Sequence, residues 1–141
     1  MGQRFVTVAR TIDQAEILEF GLRYSNLPYH TDPAAARDSL YGGLIAPGYL
    51  TASIAFGLFV DTGVLRACGM GSPGVDKLRW RLPVRAGDIL HVEAEVVAVS
   101  PAESVGGRDA IRLAYNAINQ AGQTVMTLSS LHFVSRRPGR L

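Results

Sequence analysis

The sequence is poor in the residues that would commit it to several common roles. Cys68 is the only cysteine among 141 residues, so no internal disulfide can form and nothing calls for an oxidising compartment. Charged residues make up 18%, and no basic stripe crosses the body of the chain, which argues against a nucleic-acid partner. The formal charge of +2 is accounted for by Arg136, Arg137 and Arg140, which stand beside Pro138 and Gly139 with no acid to offset them. Residues 136–141 are therefore expected to form a frayed basic tail. The longest apolar stretch, Tyr49 to Val60, is interrupted by Thr51, Ser53 and Gly57 and is too short to span a membrane. Gly2, Gln3 and Arg4 open the chain without the apolar run of a signal peptide. No cluster of His, Cys, Asp and Glu has ligand spacing, so no metal is expected. These absences together point to a cytoplasmic protein with neither a membrane nor a nucleic-acid partner.

What is present is apolar and patterned. Hydrophobic residues make up 48%, and the length suits one domain, 1–141, able to bury roughly two-thirds of the surface its unfolded chain exposes. Phe5 to Val8 reads as a short edge strand. Thr11 is expected to cap a helix, with Gln14 completing a capping box and Ile12, Ala15, Leu18 and Leu22 forming the apolar face. Gly21, Asn26 and Pro28 should end that helix, leaving Asn26 to Thr31 as loop. Asp32-Pro33 then reads as N-cap and first helical residue of a short helix.

A second helix is expected from Pro47 to about Asp61, with Thr62-Gly63 as its stop. Being apolar nearly all round, it should be wrapped on most sides. Beyond it, Asp76–Leu82, Ile89–Val99, Ile111–Asn119 and Thr124–Val134 read as strands separated by turn signals, with a loop from Ser100 to Asp109. In Ile89–Val99 the alternation is clear: Leu90, Val92, Ala94, Val96 and Ala98 on one face, His91, Glu93 and Glu95 on the other. The class is α+β, with an antiparallel sheet of about five strands wrapped around a long central helix. That arrangement is the hotdog fold.

Three histidines are available for chemistry. His91 shares its strand face with glutamates and is expected to be solvated; His132 lies opposite Leu131 and Phe133 and is expected to be structural. His30 stands in the segment between two helices, where binding and catalytic groups concentrate. The glycines from Gly42 to Gly48 have two readings. They let backbone N–H groups at a helix start approach and stabilise an oxygen that gains negative charge, or they simply allow tight packing there. No Gly-Lys-Ser/Thr follows, so this is not a phosphate loop, and no Gly-x-Ser-x-Gly elbow is present.

Taken together, Tyr24-Ser25-Asn26-Leu27-Pro28-Tyr29-His30-Thr31-Asp32-Pro33, Gly42-Gly43-Leu44-Ile45-Ala46-Pro47-Gly48 and the stretch Leu78 to Asp88 resemble the MaoC-like dehydratases, the (R)-specific enoyl-CoA hydratases of the hotdog superfamily. The resemblance runs from about Phe5 to Val134. It implies an acyl-CoA thioester substrate, reversible hydration of a 2-enoyl-CoA, no separate cofactor because CoA is part of the substrate, and a homodimer with sheets joined edge to edge. It assigns acid–base work to His30 and thioester-carbonyl binding to Gly48, with Pro47 and Gly43 in the same turn; Ser25 and Asn26 stand where a water would be held and could hydrogen-bond it.

The sequence departs from the family pattern at Ser25, where the resemblance calls for an aspartate five residues before the histidine, and at Leu27, where it calls for asparagine. A serine hydroxyl can hold a water but cannot act as a general base near neutral pH. Asp32 is better explained as an N-cap, and Asp38 as a solvated charge at a helix end. Three readings follow: a hydro-lyase working through His30, an acyl-CoA-binding domain or subunit impaired in catalysis, and, ranked last, a thioesterase. No acid sits on the central helix before Asp61 to serve the third.

Overall fold

In chain order the elements are β1 (Arg4–Val6), β2 (Arg10–Thr11), α1 (Gln14–Tyr24), α2 (Pro28–Thr31), α3 (Pro33–Arg37), α4 (Gly48–Val60), α5 (Val64–Cys68), β3 (Gly74–Trp80), β4 (Ile89–Ser100), β5 (Asp109–Ile118) and β6 (Thr124–Val134). The computed structural model describes residues 1–101 and 108–135, so the expected basic tail and most of the loop after Ser100 lie outside the described residues.

Alternation builds the sheet. Along β4, Leu90, Val92, Ala94 and Val96 are buried while Ile89, Glu93 and Val97 face outward, the period-2 pattern of a strand covered on one side. β4, β5 and β6 form the expected antiparallel meander, but β3 does not join β4. The order is β1-β4-β5-β6-β3, with β2 also on β4. The other side of β4 is already taken, since Arg4 pairs with Glu95 and Thr11 with Ile89, so β3 crosses to the free side of β6. On that edge the register shifts between Asp76 and Arg79, and Lys77 takes a left-handed backbone angle (φ 54°).

The core lies between the sheet and α4. Leu50, Ile54, Ala55, Leu58 and Phe59 pack against Leu90, Val92, Leu113, Val125 and Met126, each large apolar side chain contributing roughly 2–3 kcal/mol by burial. The Phe59 ring stands edge-on to Phe5 and Tyr115, at 5.8 and 5.3 Å. α4 is covered on most sides, as expected, and Tyr49, Ser53 and Phe56 form its one exposed stripe at helical spacing. Pro47, expected as the first helical residue, is its N-cap, so the helix begins one residue later at Gly48, and Gly63 ends the following turn with φ 87°.

The first helix differs from expectation at its start and on its face. Asp13, not Thr11, is the cap, its Oδ1 accepting from Glu16 N at 2.7 Å, because Thr11 is already paired in β2. The buried positions are Ile17 and Gly21, with Leu18 half-buried; Ala15 and Leu22 are exposed, and Ile12 is buried just ahead of the helix. Gly21 lies inside α1 and does not end it.

Candidate active site

Pro28 fixes the backbone angle of a first helical turn, so Pro28–Thr31 is a helical turn where the sequence suggested loop. This turn lies directly against Gly21. A Cβ on Gly21 would stand 3.2 Å from both the Cβ and the carbonyl oxygen of His30, and 3.0 Å from Thr31 Cγ2. Glycine at this helix position is thus what lets the histidine turn approach.

His30 is 6% exposed. Its Nδ1 lies 2.7 Å from the Ile45 carbonyl, and the Ile45 N–H donates in return to the Tyr29 carbonyl at 3.0 Å. A carbonyl can only accept, so Nδ1 carries the proton and Nε2 of the neutral ring is left as the proton acceptor. The Tyr29 ring stands edge-on to the imidazole at 4.5 Å. Orientation and tautomer are both fixed, the two properties an acid–base histidine needs.

The same loop continues into α4. Ala46 N donates to the Val84 carbonyl at 2.7 Å, and the Pro47 carbonyl accepts from Leu50 and Thr51 at 3.0 and 3.2 Å. Gly48 and Tyr49 are the first helical residues, so their N–H groups have no intrahelical acceptor and stand at the positive end of the helix. Trp80 covers this point. Its Nε1 donates to the Gly48 carbonyl at 2.8 Å, its ring stands edge-on to Tyr49 at 5.3 Å, and a Cβ on Gly48 would collide with it.

His30, Gly48 and Trp80 share one cleft of about 360 Å³, together with Ser25, Tyr29 and Arg81. Ser25 caps the C-terminus of α1, its N–H donating to the Gly21 carbonyl at 2.9 Å. None of the described residues lining the cleft carries a carboxylate, and Arg81 is its one charged group. Pro47 is buried behind the wall; Asn26 is exposed and, like Gly43, does not line the cleft. Asp32 caps α3 as expected, accepting from Ala34 N and Ala35 N at 3.1 and 3.2 Å. His91 lies half-exposed, 3.9 Å from Glu93.

Sequence reasoning missed Trp80 and Gly21. The lone tryptophan was a signal for the first, but nothing local marks which helix a glycine must admit.

Residues 1–111 match the family model described as MaoC like domain. Over 92 residues the chain is 36% identical to protein MaoC from Klebsiella aerogenes, a stretch covering 64% of this chain and only 27% of the length of that relative. The MaoC-like dehydratase from Rhodospirillum rubrum superposes with a TM-score of 0.88 at 34% identity, covering 98% of this chain and 94% of that one. The (R)-hydratase from A. caviae involved in PHA biosynthesis superposes at 0.75 with 26% identity, covering 93% of each chain. The sheet and central helix are thus the hotdog arrangement that the sequence pattern indicated.

Proposed function

The chain belongs to the MaoC-like domain family, and from that premise we propose that its cleft binds an acyl-CoA thioester and reversibly hydrates a 2-enoyl-CoA. The observation that carries this reading is His30, buried, locked through Nδ1 to Ile45, and sharing a cleft with the first N–H groups of α4.

The chemistry follows from those two groups. His30 Nε2 takes a proton from water as the oxygen bonds to C3 of the enoyl group. The π electrons move towards the thioester, and the Gly48 N–H stabilises the charge that develops on its carbonyl oxygen. The proton held by His30 then passes to C2, so that one water has been added and the ring is neutral again. Ser25 donates or accepts a hydrogen bond from the water without taking its proton. CoA enters as part of the substrate, and no further cofactor is invoked. The assembly we propose is a homodimer.

One observation favours a second reading: no described residue lining the cleft supplies a carboxylate, and Ser25 stands at its wall. In that reading the chain binds acyl-CoA without turnover, or works as one subunit whose partner carries the acid. Hydration of short- and medium-chain trans-2-enoyl-CoA, followed by loss of the conjugated absorbance, separates the two. His30→Gln is expected to lower kcat by about 10²–10⁴ and to leave binding within a few-fold. Binding without turnover in the unaltered protein would overturn hydration and leave the second reading. Release of free CoA thiol would overturn both.

A further inference from the structure

A second cavity, about 520 Å³, opens on the exposed stripe of α4. Its walls are mostly apolar: Phe56, Ala52, Val75, Leu78 and Leu128 line it, and none of its described lining residues is charged. Tyr49 borders both this cavity and the His30 cleft. At its floor, three polar side chains form a buried triangle. His132 Nε2 lies 2.6 Å from Ser130 Oγ and 2.9 Å from the Tyr115 hydroxyl, and the two hydroxyls are 3.2 Å apart.

The triangle fixes the imidazole's proton. If Nε2 accepts, both hydroxyl protons find acceptors within the triangle. If Nε2 carried the proton, the Tyr115 or Ser130 proton would be left without one, at a cost a buried site does not bear. Nε2 therefore accepts and Nδ1 is the N–H. Burial holds His132 below its ordinary value and pushes Tyr115 up to about 12, which keeps the ring neutral and the phenol protonated. His132 is 4% exposed, and its Nδ1 has no partner among the described residues. No described buried side-chain nitrogen or oxygen lacks a partner, so Nδ1 keeps some exposure, and His132 is among the residues that line the open space. The Phe56 ring, parallel to the imidazole at 6.0 Å, flanks that opening.

We propose that, where the acyl portion of the thioester reaches this cavity, His132 Nδ1–H selects acyl groups bearing a neutral oxygen acceptor, a ketone or hydroxyl, over plain alkyl chains. This rests on the thioester reading of the His30 cleft. A carboxylate is disfavoured because no cation among the lining residues balances it and the imidazole stays neutral. A wholly alkyl chain would fill the apolar walls and leave a buried N–H unpaired, which is the larger loss.

The test needs only the intact protein and non-reactive saturated esters. Calorimetry compares alkanoyl-CoA with oxo- and hydroxyalkanoyl-CoA of matched length, the oxygen moved along the chain. At one position the oxygenated ester is expected to bind about tenfold more tightly. His132→Leu should remove that preference while binding the alkyl ester at least as well, and His132→Gln, which keeps a donor, should retain part of it. Equal binding of all matched pairs would overturn this proposal alone. No binding of any ester would overturn it together with the thioester reading.

Discussion

Replacing Gly48 with alanine adds one carbon where the Trp80 ring now lies. That carbon would stand 2.7 Å from Trp80 Cδ2 and Nε1, about 0.7 Å inside ordinary contact, and closer still to Cε2. The helix cannot give way, because its first turn buries Leu50 and Thr51 in the core, whereas Trp80 is 45% exposed and can swing. The ring's retreat stretches the 2.8 Å bond to the Gly48 carbonyl to the edge of hydrogen bonding, a loss of about 0.5–1.5 kcal/mol. Alanine in a helical turn recovers up to about 1 kcal/mol relative to glycine. The two effects nearly cancel, so the melting temperature should shift by only a few degrees. The cleft is different: its wall has moved by most of an ångström beside the N–H proposed to bind the thioester carbonyl, which should cost about 10- to 100-fold in kcat/KM. Trp80 is the only tryptophan, so its emission reports this one movement, and a red shift is expected. Unchanged emission with unchanged activity would refute the reasoning. A loss of activity matched by a large fall in melting temperature would do the same, since it would make Gly48 a packing requirement of the helix alone.

Ser25→Asp should raise enoyl-CoA hydration by about 10² or more if the missing carboxylate limits the rate, at a stability cost of about 0.3–1 kcal/mol for an anion at the C-terminus of α1; a folded variant with no gain in rate would exclude that limit. Gly21→Ala pits a helix gain of about 1 kcal/mol against displacement of the His30 turn, so chemical denaturation should find stability nearly unchanged while kcat falls by about tenfold. Stability should also fall at both ends of the pH range. Tyr115 has a raised folded pKa, so its contribution is complete below pH 10 and disappears as pH rises through about 12. His132 has a lowered one, so its contribution is complete above its ordinary value of 6.5 and is lost as pH falls through the folded value. Denaturation midpoints against pH should show Tyr115→Phe removing the alkaline loss alone.

The repeating patterns were legible from the sequence and the choices between neighbours were not. Strand alternation in β4 reports burial directly, because each residue's face follows from its parity. The position of β3 does not, since it depends on β1 and β2 having occupied the side of β4 that β3 would otherwise take. The cap at Asp13 is not separable locally from one at Thr11, because a hydroxyl and a carboxylate two residues apart offer similar signals, and only the pairing of Thr11 with Ile89 decides between them. In the site, His30 and Gly48 stand out by residue type and by neighbouring glycine and proline. The lock from Ile45, the cover from Trp80 and the room made by Gly21 join positions 15 or more residues apart or different helices, and no window along the chain contains them. Of the Tyr115–Ser130–His132 triangle, strand parity puts only Ser130 and His132 on one face, and Tyr115 comes from the neighbouring strand β5.

The irregularity in β3 bears on how the molecule behaves in a crowd of its own copies. An edge strand offers unpaired backbone groups to any extended segment that drifts past. On β3 the ladder runs regularly from Gly74 to Asp76, loses phase at the left-handed Lys77, and resumes at Arg79. A passing strand can keep step for three residues before its hydrogen bonds fall out of time, and it then meets the charged side chains of Asp76, Lys77 and Arg79. Lys77 is therefore a stop mark in that ladder, guarding against open-ended stacking while leaving a short stretch that one well-matched neighbour can still follow.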